Sequence, residues 1–164
     1  MSSTFKYGID TLTVTKAIQL CNGKLLGIID ETAKKKIYKS QQDVQHIVEN
    51  NETVYGINTG FGILANKKIS EEDTRTLQYK ILQSHSVGVG NPIPKQVAKL
   101  MLITKLQALA QGFSGVQLST LERILWHIDN DVIPLVPEKG SVGASGDLAP
   151  LAHLCLPLIG LGEV

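Results

Sequence analysis

From Gly140 to Gly162 the chain carries one fixed charge, Asp147. A stretch this poor in solvating residues has to be buried, which restricts the available folds more than any other feature of the sequence. A membrane span would need about 20 uninterrupted apolar residues. Here Asp147, Pro150, His153 and Pro157 break the run, so it reads as protein core, with no membrane partner. The imbalance extends beyond that stretch. Residues 1–80 hold 11 of the 16 Lys and Arg and 9 of the 15 Asp and Glu. A chain of 164 residues has a limited interior. The second half is therefore expected to bury surface against other subunits, or against chain beyond the closing residues 161–164.

The rest of the chain reads as helix. Between Asp30 and Asn50, Ala33, Ile37, Val44, Ile47 and Val48 share a face, while Lys34, Lys35, Lys36 and Lys39 turn to solvent. Ser70 with Asp73 opens a second helix carrying Leu77, Ile81 and Leu82. Pro94 suits the first turn of a third, which runs through Val97, Leu100, Met101, Thr104 and Leu106 to Ala110 and stops at Gly112. Ser119 and Glu122 form a capping box for a fourth, with Leu121, Ile124, Leu125 and Ile128 inward, Trp126 at the core edge and His127 on the surface. His46 also reads as surface. Strand signals are weak and limited to Thr53-Val54-Tyr55 and Val132-Ile133. The expected class is mainly α, with helices and two glycine-rich loops.

Composition removes several functions. A net charge of +1 and 5% aromatic residues provide neither a field nor a stacking platform for nucleic acid. The polar N-terminus has no secretory core segment, and Cys21 and Cys155 stand far apart in apolar surroundings. Free thiols in a reducing cytoplasm are expected. No pair of His or Cys has zinc-like spacing, so no metal site is expected.

The two loops carry the chemistry. The first, Tyr55-Gly-Ile-Asn-Thr-Gly-Phe-Gly62, reads on composition as a turn, in which Asn58 and Thr59 bond nearby backbone. The second is Gly140-Ser-Val-Gly-Ala-Ser-Gly-Asp147. It is not a nucleophile elbow, because Asp147 stands where the last glycine should be. It is not a phosphate loop either, since no Gly-Lys-Ser/Thr follows. Ala144-Ser145-Gly146 nevertheless offers an unusual reaction. In a tight bend the Gly146 nitrogen can attack the Ala144 carbonyl carbon, and loss of water closes a five-membered imidazolone. A second water, lost from Ser145, leaves an exocyclic methylene, which is an electrophile. Asp147 is placed to cap the next helix and hold the bend, with Pro150 in that helix's first turn.

The fourteen residues Gly140–His153 resemble the signature of the aromatic amino acid ammonia-lyases that carry the methylidene-imidazolone (MIO) group. Residues 54–62 are similar to that family's tyrosine loop, and Ser84-His85-Ser-Val-Gly-Val-Gly90 to its substrate-selecting segment. The three occur in the family's order across the whole chain. The Ser84-His85 pair is closest to the members that convert L-histidine to trans-urocanate and ammonia, although some tyrosine-specific members share it.

The resemblance implies the N-terminal, MIO-bearing portion (1–164) of the ammonia-lyase, fumarase/aspartase-like fold. It implies an MIO made autocatalytically from Ala144, Ser145 and Gly146, with no external cofactor. Tyr55 would be the base for the Cβ proton, and such a phenol needs positive potential or donors around it. His85 would recognise the imidazole, Asn58 and Gly60 would line the site, and His153 reads as structural. Family chains are much longer and gather each site from several subunits of a homotetramer. The carboxylate-binding arginine is expected downstream, because Arg75 and Arg123 lie on helices away from the motifs. Three rivals remain: the same chemistry on tyrosine, the related aminomutases that return ammonia to Cβ, and a non-catalytic helical fragment that keeps the motifs but never closes the ring.

Overall fold

The computed structural model describes residues 4–50, 52–59, 71–143 and 146–164, and of residues 71, 72, 74 and 75 the backbone alone. The expected cap at Ser70 and the site residues Gly60, Ala144 and Ser145 lie outside the described residues, as does the Arg75 side chain.

Helices dominate, as the periodicity requires. Strand β1 (Thr4–Lys6) leads through α1 (Val14–Cys21) to β2 (Leu26–Ile28), which pairs with β1 in parallel, Phe5 opposite Gly27. Helix α2 (Glu31–Glu49) follows. Its N-cap Asp30 accepts the Ala33 N–H at 2.9 Å and pairs with Lys6 at 3.1 Å, and these contacts lower the carboxyl's pKa. Ala33 and Ile37 are buried, and three of the four lysines face water as expected, with Lys34 half-buried beside Glu31.

Helix α4 (Lys95–Leu109) forms the centre, packed against α1 and α5 (Leu118–Asp129). Its buried face differs from the sequence reading. Ala98, Lys99, Leu102, Ile103 and Leu106 are inside, Val97 and Thr104 outside, and Leu100 and Met101 between. Apolar residues run all round this helix, so periodicity cannot select a face and its neighbours decide. Ile103 and Leu106 are fully buried, each contributing about 1.5–3 kcal/mol by removal from water. Lys99 buries its stem and reaches Asp131 at 2.9 Å, and Lys95 holds the other oxygen at 2.8 Å.

Three more expectations fail at α5 and in the strands. The capping box at Ser119 does not form: Gln117 is the N-cap and Ser119 lies inside the helix. Leu118, buried as the first helical residue, draws the start forward into the core. His127 is buried, not on the surface, because its ring bonds the Val132 carbonyl at 2.7 Å and closes the turn after α5. Trp126 is 43% exposed, under the Arg123 guanidinium, and His46 is exposed as expected. Neither Thr53–Tyr55 nor Val132–Ile133 forms a strand. The pairing occurs instead in β1–β2 and in the antiparallel ribbon of β3 (Val89–Pro92) and β4 (Pro137–Lys139). Such short segments carry no usable alternation.

That ribbon positions the site. Strand β3 starts four residues after the end of α3 (Glu71–His85), and β4 ends where the Gly140 loop begins. Pairing Val89 with Lys139 therefore brings the end of α3 to the start of that loop. Helix α6 (Leu148–Cys155), continued by a 3-10 turn (Leu156–Ile159), then packs back on α3.

Candidate active site

Two of the three motif segments meet. Gly88, three residues past His85, lies against Gly140. A Cβ on Gly140 would come 3.1 Å from the Gly88 Cα. Backbones this close leave no room for a side chain. The Gly88 N–H donates to His153 Nε2 at 3.0 Å, so His153 of α6 ties the two segments together. An acceptor Nε2 requires the neutral ring with its proton on Nδ1. Burial lowers the His153 pKa in the same sense.

His85 closes α3. Its Nδ1 stands 2.8 Å from the Ile81 carbonyl and 3.1 Å from Ser84 Oγ. A carbonyl only accepts, so these partners assign a proton to Nδ1, and in the neutral ring Nε2 is then the acceptor. The pair Ser84-His85 thus acts as a unit: the Ser84 hydroxyl donates to the same carbonyl, at 3.2 Å.

On the loop itself, Gly143 (φ +62°) and Gly146 (φ +77°) are both left-handed, and Asp147 (φ +50°) continues the bend. Left-handed backbone, which glycine adopts freely, thus stands just before the tripeptide and at its last position, and Asp147 follows in the same region. Asp147 occupies the N-cap position of α6, but its side chain makes no cap bond, contrary to expectation. A side-chain cap goes with extended backbone, and Asp147 is left-handed. Its Oδ1 is buried without a hydrogen-bond partner among the described residues. Pro150 is buried in the first turn of α6, where its missing N–H costs nothing.

The tyrosine loop is built differently. Asn58 is buried and staples its own turn: Oδ1 accepts the Val54 N–H at 3.0 Å, and Nδ2 donates to the Glu52 carbonyl. Both ends of the Asn58 amide are used by local backbone, so it shapes the loop more than it presents a polar group. Tyr55 is 63% exposed. Sequence reasoning assigned Gly88 no role; the signal was there in the spaced glycines of residues 86–90. Among the described residues no group of three His, Cys, Asp or Glu converges as a metal site. Cys21 and Cys155 are free and half-buried, and burial pushes the Cys155 thiol up.

Known proteins resemble this chain in sequence and in fold. The sequence model described as aromatic amino acid lyase matches residues 12–164. The chain is similar to histidine ammonia-lyase of Caldanaerobacter subterraneus, 44% identical over 154 residues, covering 94% of this chain and 30% of that protein. It is 45% identical to the Shewanella sediminis histidine ammonia-lyase over the same shares. Among solved structures, histidine ammonia-lyase from Trypanosoma cruzi superposes with a TM-score of 0.85 at 33% identity, over 98% of this chain and 31% of that one. Tyrosine aminomutase from Streptomyces globisporus superposes with a TM-score of 0.88 at 31% identity, over 98% and 30%. The chain spans about 30% of the length of the curated relatives it matches.

Proposed function

The chain belongs to the aromatic amino acid lyase family, and from that premise we propose that it carries the electrophile-forming loop of an enzyme eliminating ammonia from L-histidine to give trans-urocanate. The observation that carries this reading is the junction of the His85 segment with the glycine loop through Gly88, Gly140 and His153.

The reaction has two obstacles. The amine is a poor leaving group, and the Cβ proton is activated by no carbonyl. General acid–base catalysis contributes about 10²–10⁴-fold, so covalent help is needed. The MIO formed from Ala144, Ser145 and Gly146 supplies an electrophile that makes the amine a better leaving group. Gly143 and Gly146 are both left-handed, a conformation that tight bends use. Each of the two dehydrations releases one water, so atoms balance with no outside reagent.

In its neutral form His85 can accept a hydrogen bond at Nε2, which suits a substrate ring carrying an N–H. A phenol O–H would satisfy it as well, so tyrosine is the alternative substrate, while a bare phenyl ring would leave it unpaired. Tyr55 takes the Cβ proton, with the Asn58-stapled turn holding its loop, and Gly60 lines the site beside it. Arg123 is stacked on Trp126, so the substrate carboxylate is bound by residues outside this chain's motifs. A homo-oligomer that brings segments together from several copies meets that need. The apolar residues Val87, Val89, Val142 and Leu148, all more than half exposed near the junction, suit burial in such an assembly.

Intact mass and peptide mapping across Gly140–His153 test the electrophile. Loss of two waters confined to Ala144-Ser145-Gly146 is expected, with the second loss absent in Ser145→Ala. An unmodified wild-type mass would overturn the reading for this chain. Incubation with L-histidine or L-tyrosine, watching for urocanate or coumarate absorbance, separates the two substrates.

A further inference from the structure

Gly88 is enclosed on several sides. A Cβ built on it would lie 3.1 Å from His153 Nε2, 3.2 Å from His153 Cδ2 and 3.2 Å from the Lys139 carbonyl oxygen. Its backbone does not adopt a positive φ, so glycine serves here for space and not for torsion. A half-buried N–H in such a place needs an acceptor, and His153, 65 residues away in sequence, provides it at 3.0 Å. The ring can do so only while Nε2 is unprotonated. Burial favours that form, and no described charged group opposes it.

The contact has leverage. Gly88 follows His85 by three residues, and the Gly140 backbone it packs against precedes Ala144 by four. His153 also rides on the helix that the tripeptide leads into. That hydrogen bond therefore links the segment that would recognise the substrate ring to the helix after the loop that would make the electrophile, while the pairing of Val89 with Lys139 holds the same segment to the flank before it. Helix α3 packs along α6, but packed helices tolerate small sliding, whereas a directional bond between two crowded backbones fixes the register.

We propose that His153 is a positioning residue, holding residues 84–88, and with them His85, in register with Gly140 and α6, the two flanks of the electrophile-forming loop. The proposal rests on the reading of these segments as one site. Two variants separate its parts. His153→Phe keeps an aromatic ring but has no acceptor. His153→Gln places an amide oxygen near the Nε2 position and can still accept the Gly88 N–H.

The experiment is NMR on the 15N-labelled full chain, combined with intact mass. A scalar coupling across the hydrogen bond, between the Gly88 amide nitrogen and His153 Nε2, is expected in the wild type. In His153→Phe the Gly88 amide should exchange about tenfold faster, the effect of one lost hydrogen bond, with the amides of β1, β2 and α5 unchanged. His153→Gln should restore the wild-type exchange rate, and the dehydrated fraction should fall in the Phe variant and recover in the Gln variant. Absence of the coupling in the wild type overturns the proposal, as does a Gln variant that behaves like Phe. If His153→Phe does not fold, the wild-type coupling and the Gln variant decide. An unmodified wild-type mass would refute the electrophile reading alone; the Gly88 coupling would still uphold or overturn the hydrogen bond that does the positioning.

Discussion

Replacing Gly140 with alanine adds a single methyl group at the tightest point of the junction. That carbon would lie 3.1 Å from the Gly88 Cα and 3.4 Å from the Ala149 Cβ. Carbon atoms pack comfortably at about 3.5–4.0 Å, so the two segments must part by roughly 0.4–0.9 Å. The nearest atom is backbone and cannot rotate away. Overpacking of this kind costs about 1–3 kcal/mol. Parting the segments also stretches the 3.0 Å bond from Gly88 to His153, a loss of about 0.5–1.5 kcal/mol. Together these give about 2–4 kcal/mol, or a midpoint lowered by roughly 4–16 °C for a chain of this size. Gly143→Ala is the control. Nothing lies within 4 Å of its would-be Cβ, but its φ is +62°, so the cost is torsional, about 1–2 kcal/mol. Torsional preference alone would rank Gly143→Ala as the worse change; the close approach reverses the order. Urea unfolding followed by far-UV circular dichroism measures both. A Gly140→Ala variant within 0.5 kcal/mol of wild type (roughly the scatter of a neutral surface change), or milder than Gly143→Ala, would refute the reasoning.

Two further outcomes follow from buried groups. The Tyr7 hydroxyl is buried with no partner among the described residues, and desolvation, then Asp129, push its pKa far above the ordinary phenol range. Tyr7→Phe removes an unsatisfied polar atom and should stabilise the chain by about 1 kcal/mol in the same urea assay; destabilisation would mean that the hydroxyl has a partner in solution. His153 titrates below its ordinary 6.5 because burial disfavours the charged ring. The described ionisable groups on the helices packed against α6 are Asp73, Tyr79, Lys80 and His85 on α3 and Lys95, Lys99 and Lys105 on α4, with Cys155 on α6 itself and Asp147 at its N-cap. Below pH 6.5 the unfolded chain binds the His153 proton more readily than the folded one, so stability is full above that value and falls as pH drops through the window beneath it. The thermal midpoint of wild type minus that of His153→Gln should therefore decline on acidification from neutral pH; a flat difference would show that the folded ring is not held neutral.

Local rules made much of this chain legible. Helix α2 and its cap at Asp30, the ends of α4 near Pro94 and Gly112, and the turn that Asn58 makes all depend on residues within four or five positions of one another. The order of the three motifs is a property of the sequence, and so is the family that the order points to. Capacity to form an electrophile is likewise written locally, because the cyclising atoms belong to three consecutive residues. The tertiary structure decided what local rules leave degenerate. Helix α4 is apolar all round, so its neighbours chose Leu102 and Ile103 for the interior and left Thr104 outside. Burial of Leu118 moved the start of α5 past the capping box, and the turn after α5 drew His127 inside. Strands of three or four residues exist only because a distant partner supplies their hydrogen bonds. The contact that joins the two loops, Gly88 to His153 with Gly140 against them, spans dozens of residues. No periodicity reaches that far, because a hydrogen bond between remote segments depends on how the intervening helices pack.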